Sequence, residues 1–252
     1  MGPAEDLRVI TLVERGLQEV DALNGEPDVQ AVLYRTLGGV YQQLGRLAMA
    51  EDLLERSLAL RRRLFGEDDP QTTDSLMALS LLRIEQARME EGERLAREAL
   101  AITERRLPSG HPQSARARAV LGRVLEYRGK YAEAIPFLEE AARLQQVSGA
   151  AAVEQAETLT YLANTQFYSG NYDVAGELNW RVLEMNREIY GERHPRVADN
   201  LINLGAIAME QGRHGESESF FRKGQAIKEA CYGPDHTQTA SAVTMLGRVL
   251  IQ

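Results

Sequence analysis

Three of the four histidines, one cysteine and a few acidic pairs are the residues of this chain best equipped for chemistry. His111, His194 and His236 recur in similar local settings, and a shared metal ion is the first chemistry they suggest. Ligating nitrogens must each come within about 2 Å of one ion. Residues at matching places in successive helical units instead stand apart by the spacing of packed helices, about 8–10 Å. The three histidines therefore read as residues placed just ahead of helix starts, and no metal is expected. Cys231 is alone, so an internal disulfide is excluded and a reducing compartment is the simpler setting. No nucleophile motif surrounds it, and a partly buried structural thiol is expected. Glu90-Glu91 and Glu139-Glu140 read as solvated helix surface. The sequence has no phosphate-binding Gly-x-x-x-x-Gly-Lys loop, no Gly-x-Gly-x-x-Gly after a strand and no His-Glu-x-x-His. No catalysis and no cofactor are expected.

The elements behind these residues follow one spacing. A small residue and a basic or polar one recur at Gly45-Arg46, Ala87-Arg88, Gly129-Lys130, Gly170-Asn171 and Gly212-Arg213, in steps of 42, 42, 41 and 42 residues. A fixed period in this range marks a repeat array. In the third unit a first helix is expected over residues 113–128, with Ala115, Ala119, Leu121 and Leu125 at helical spacing. Gly129 turns the chain, and a second helix follows over residues 131–146. Each first helix carries Leu before a small residue: Leu37-Gly38, Leu79-Ser80, Leu121-Gly122, Leu162-Ala163, Leu204-Gly205 and Leu246-Gly247. Glycine inside a helix costs about 1 kcal/mol relative to alanine, so its recurrence implies two helices crossing closely. The facing helix answers with Ala50, Gly92, Ala134, Ala175 and Ser217, each five residues after the turn residue.

Connections repeat as well, as Phe65-Gly66-Glu67-Asp68-Asp69-Pro70 and Tyr190-Gly191-Glu192-Arg193-His194-Pro195 illustrate. Glycine stops one helix and proline starts the next. The connection from Val147 to Val153 lacks proline and is expected to be irregular. The organisation expected is a single array over residues 1–252. It comprises a half-unit at 4–24, units at about 29–66, 71–108, 112–148, 153–191 and 195–233, and a half-unit at 237–252. The half-units suggest a piece of a longer array. In the last one, Ala240, Val243, Leu246 and Leu250 should pack inward, leaving Met245 and Val249 near the open end and favouring weak end-to-end self-association.

Composition narrows the partners. A formal net charge of −8 disfavours nucleic acid. No apolar run of about 18 residues is present, so no membrane span is expected. A cytoplasmic protein fits these features.

The units resemble the tetratricopeptide repeat. The first matches its pattern as Tyr34, Leu37-Gly38, Tyr41, Gly45 and Ala50, and the third as Leu121-Gly122, Gly129, Tyr131, Ala134 and Ala141. The 42-residue period and the Gly-x-x-His-Pro connection are most similar to the kinesin-light-chain subtype. Arg83, Ala87 and Gln166 depart from the pattern, at a core position, a turn and an aromatic position respectively. The resemblance implies an all-α, right-handed superhelical solenoid of antiparallel helix pairs whose first helices line a concave groove. By the family's register, the groove is lined by Arg35, Gln42, Met77, Glu85, Arg116, Arg123, Tyr127, Glu157, Asn164, Phe167, Tyr168, Asp199, Met209 and Glu210. Phe167 could equally pack between neighbouring first helices. Arg123, Tyr127, Asn164 and Tyr168 make a recognition set, because arginine and aromatics dominate binding hot spots and asparagine can pair with a peptide backbone. The site is expected where the third and fourth units meet, with Arg116 and Arg123 making it positive and Glu157, Asp199 and Glu210 making the later half acidic. The function expected is a scaffold that holds a linear segment of a protein partner. The alternative is a sensing or autoinhibitory segment of a larger signalling protein.

Overall fold

The computed structural model describes residues 3–23, 25–233 and 239. Among these residues it is built from eleven helices and no strand. They fall into two compact units, Met1–Lys130 and Tyr131–Gln252. The first holds α1 (Pro3–Asp21), α2 (Pro27–Gln43), α3 (Leu47–Phe65), α4 (Pro70–Glu85), α5 (Met89–Arg106) and α6 (Pro112–Tyr127). The second holds α7 (Tyr131–Ser148), α8 (Ala152–Tyr168), α9 (Tyr172–Tyr190), α10 (Pro195–Glu210) and α11 (His214–Tyr232). Within each unit a first helix packs on the second helix that follows it: α2 on α3, α4 on α5, α8 on α9 and α10 on α11. This is the array of antiparallel helix pairs that the resemblance implies.

The turns explain the pairing. Gly45, Gly129, Gly170 and Gly212 all have φ between 69° and 82°, in the left-handed region that glycine enters freely. Ala87 takes the same turn with φ 58° and is the one non-glycine in that region among the described residues. The repeat thus imposes the turn even where the sequence departs from it. Helix starts follow the expected chemistry. The Asp69 carboxylate accepts from the Gln71 backbone N–H at 2.8 Å, and His111 Nδ1 and His194 Nδ1 accept from Gln113 and Arg196 at 3.2 Å. These histidines are helix caps. His236 lies outside the described residues. Between α7 and α8, Gly149 turns with φ 66° and α8 begins without a side-chain cap at Ala151.

Close crossings are made by the small residues. Ser80 on α4 donates its hydroxyl to the Gly92 carbonyl on α5 at 2.7 Å. In the last pair the roles reverse, and Ser217 on α11 donates to the Gly205 carbonyl on α10 at 2.8 Å. A Cβ on Gly205 would meet the Phe221 ring at 3.0 Å, and Phe221 is fully buried. The glycine therefore lets a large aromatic ring slide under α10.

Arg83 is buried, 5% exposed, at the place where the other units put Tyr41, Leu125, Gln166 and Ala208. Its guanidinium pairs with Glu51 at 2.5 Å and Glu55 at 2.8 Å on α3. Arg88 pairs with Glu51 at 2.8 Å and Glu91 at 2.6 Å, closing a network across three helices. A buried charge is tolerated only with such partners.

Two expectations are corrected. Cys231 is exposed, and its thiol points to the Arg193 carbonyl at 3.3 Å. It lies at the last turn of α11. Met77 is buried, 4% exposed, because α4 is flanked by both α2 and α6. The terminal helix expected over 237–252, with its inward residues Ala240, Val243, Leu246 and Leu250 and its open-end Met245 and Val249, lies outside the described residues. Among those that are described, no helix is long and apolar enough to cross a membrane.

Candidate functional site

In the second unit, the first-helix residues named from sequence converge. Asn164, Phe167 and Tyr168 of α8 and Met209 and Glu210 of α10 line one cleft of about 290 Å³, with Asn179, Ile202, Asn203, Ala206 and Ile207. The floor is built from below. Phe221 of α11 supports Ile202, Ala206 and Met209, and it reaches that place because Gly205 leaves room for its ring.

The side walls differ in chemistry. The aromatic wall is a linked set of rings: Phe167 packs on Tyr168 edge-on at 5.4 Å and against Tyr172 at 5.5 Å. Tyr168 also stacks on Tyr131 at 5.7 Å with planes 16° apart. Tyr168 is 59% exposed, so a large aromatic face is held still and wet, a poor use of an apolar ring unless something covers it. The polar wall is a set of three amides from three helices. Asn203 Nδ2 stands 3.5 Å from both Asn164 Oδ1 and Asn179 Oδ1. Those distances are at the outer limit of a hydrogen bond. Asn179 is secured by its own bond to the Ala175 carbonyl at 3.0 Å, whereas Asn164 and Asn203 make no shorter side-chain bond among the described residues. Their amides keep a donor and an acceptor for a ligand, which is what an extended backbone needs.

Charge around the cleft is mostly spent within the protein. Glu157 takes Arg196 at 3.0 Å, and Asp199 takes the buried Lys228 at 2.8 Å. Glu210, exposed at the rim, is the acid that lines the cleft itself.

The first unit places its predicted residues singly or in pairs. Gln42 donates to Glu85 at 2.7 Å. The Arg123 guanidinium lies over the Tyr127 ring at 5.8 Å, a cation–π pair that leaves Tyr127 half exposed. Arg116 reaches Asp74 at 3.5 Å. Arg35 is half-buried on α2, and Met77 is in the core.

Three residues escaped the sequence reading. Asn203 and Asn179 sit outside the register used to list groove positions, and only the meeting of Asn203 with Asn164 and with Asn179 reveals them. Glu126 shares the register of Gln42, Phe167 and Met209, three residues before the turn, and that repeat position was the available signal. It is 8% exposed, and burial, only partly offset by the charge of Arg123, pushes its carboxyl up to about 7.

The chain matches the tetratricopeptide repeat family over residues 29–104, 76–146, 154–230 and 200–252. Kinesin light chain-related protein 3 of Arabidopsis thaliana is 23% identical over 194 residues, covering 77% of this chain and 30% of that protein. This chain therefore spans about a third of that relative's length. The crystal structure of BtubC (BKLC) from P. vanneervenii superposes with a TM-score of 0.71 at 21% identity, over 90% of this chain and 92% of that one. A signal transduction ATPase with a tetratricopeptide repeat sensor, from Pyrococcus horikoshii, gives 0.68 at 15% identity, over 95% of this chain and 36% of that one. Turn geometry, small-residue crossings and the family match together make the chain a member of the tetratricopeptide repeat family.

Proposed function

We propose that this protein is an interaction scaffold that binds a linear peptide segment of a protein partner, with the cleft between α8 and α10 as its principal site. One observation carries the reading: two amides with bonding capacity to spare, Asn164 and Asn203, stand beside an exposed aromatic wall over a firm apolar floor. The amides suit an extended backbone, and the space between Phe167 and Met209 suits one apolar side chain. Glu210 favours a basic residue in the next position. Arg123 and Tyr127 offer a further contact in the first unit, one that suits an acidic or carboxylate group. The test takes peptides selected from a random library on the wild-type protein and titrates them against Asn203→Ala and, as a control on a second helix, Glu139→Lys. Asn203→Ala should weaken binding about tenfold, as loss of a central polar contact does. Equal affinities for both variants would move the site elsewhere.

A second reading, a sensing segment of a larger signalling protein, draws on the likeness in fold to the signal transduction ATPase with a tetratricopeptide repeat sensor. A nucleotide-binding or kinase domain beside the array in the full gene would favour it.

A further inference from the structure

The second helices carry a groove of their own. Between α7 and α9, Ala142, Leu159, Leu162 and Leu178 line a cleft of about 260 Å³. It shares no lining residue with the cleft between α8 and α10. The first unit repeats this groove between α3 and α5, with Leu58, Leu79 and Leu95 at the places of Ala142, Leu162 and Leu178. There the protein pairs its own rim charges: Arg62 of α3 meets Glu98 of α5 at 2.6 Å, and Arg83 meets Glu55 at 2.8 Å. Between α9 and α11, Trp180 stands at the repeat place of Glu55 and its ring lies edge-on to Phe220 at 5.7 Å. The α7–α9 groove has neither device. Gln146 and Arg181 replace Arg62 and Glu98, and Gln166 and Glu139 replace Arg83 and Glu55. Gln166 turns instead to Asn171, whose Nδ2 donates to it at 2.7 Å. The side chains of Glu139 and Arg181 are exposed and make no ion pair or hydrogen bond among the described residues. Arg143, on the same wall as Glu139, is held by Glu140 through two bonds of 2.7 Å. Val147 continues that wall one turn after Arg143 and is 76% exposed.

The chemistry of the groove selects its occupant. Its floor is aliphatic, and its two walls carry one unanswered acid and one unanswered base. The cleft between α8 and α10 sets amides where this groove sets leucines, so this groove suits a segment whose backbone bonds are already made, which is a helix. From Glu139 to Val147 the α7 wall runs for two turns, about 12 Å, a fit for two turns of a docked helix. Opposite charges on opposite walls also fix the direction in which such a helix lies, because the reverse direction sets like charges together. We propose that the α7–α9 groove docks a helical segment of a protein partner. That segment presents a large aliphatic side chain to the floor, with a carboxylate toward Arg181 and a basic group toward Glu139 on the same face. This surface is separate from the peptide cleft and does not depend on it.

The test randomises one face of an alanine-rich helical peptide of about 18 residues, long enough to be helical alone, and selects it on the whole protein. Selection should enrich leucine or isoleucine flanked one turn away by an acid on one side and a base on the other. The enriched helix is then titrated against wild type, Arg181→Glu, Asn203→Ala and Arg63→Glu. Arg63 is exposed on α3 and controls for the same charge reversal elsewhere. Arg181→Glu should weaken binding about tenfold, because it sets two acids together, while Asn203→Ala and Arg63→Glu should match wild type. A helix with its acid and base exchanged should in turn bind the double variant Glu139→Lys/Arg181→Glu better than the original helix does, a gain that misfolding cannot produce. Equal losses in Arg181→Glu and Arg63→Glu would show diffuse attraction and overturn the proposal. So would a selection that enriches no such pattern. Helices that weaken with Asn203→Ala but not with Arg181→Glu would lie in the cleft between α8 and α10, which overturns this docking surface and leaves that cleft standing.

Discussion

Glu126 shows how one side chain can set the pH response of the molecule. Its carboxyl titrates near 7 in the fold against 4.5 when free, because burial penalises the anion more than Arg123 relieves it. Between those values the folded state holds a proton that the unfolded state has lost. Stability therefore falls as pH rises through this window, and it does not recover above it. Other groups titrate too, so the informative quantity is the difference between wild type and Glu126→Gln. The variant's relative stability should grow by on the order of 3 kcal/mol between pH 4.5 and 7. Urea midpoints at several pH values check this, and a difference that stays constant with pH would mean Glu126 is paired well enough to remain charged.

At the scale of the element, the turn governs. Ala87 holds a left-handed conformation with φ 58°, which costs an L-residue roughly 1–2 kcal/mol. Glycine would remove that strain but add freedom to the unfolded chain, worth roughly 0.5–1 kcal/mol. Ala87→Gly should therefore stabilise the protein by about 0.5–1 kcal/mol, seen as a higher denaturation midpoint with an unchanged slope. A lower midpoint would show that the Ala87 methyl group makes a contact worth more than the strain. Turns, caps and crossings of this kind were legible from sequence because each is local: Gly129, the Asp69 cap and Leu79-Ser80 can be recognised within a few residues. Arg83 and Met77 were not. The carboxylates that neutralise Arg83 lie 32 and 28 residues away, on the surface of another helix. Met77 occupies a groove register, and only the packing of α4 between α2 and α6 decides that it is covered. Half of the candidate cleft was legible in the same sense. Asn164, Phe167, Tyr168 and Met209 follow the repeat register, whereas Asn203 gains its meaning from Asn164, 39 residues away.

On the scale of the whole molecule, helices pack chiefly on their sequence neighbours, with first helices also meeting across one position, as α2 with α4 and α4 with α6. Stability in such an array is a sum of local and nearest-neighbour terms, so damage should stay where it is made. Leu183 gives a clean test. It is fully buried on α9 in a cluster with Val197, Leu201 and Leu204 of α10, so Leu183→Ala removes packing that joins one repeat to the next. The cost should be about 2–5 kcal/mol for the helices that share the cavity. Amide exchange should then accelerate in α9 and α10 while α4 and α5 keep their protection, because no contact of Leu183 lies in those helices. Uniform acceleration along the chain would show that the array opens as one cooperative body, and the additive picture of its stability would fail.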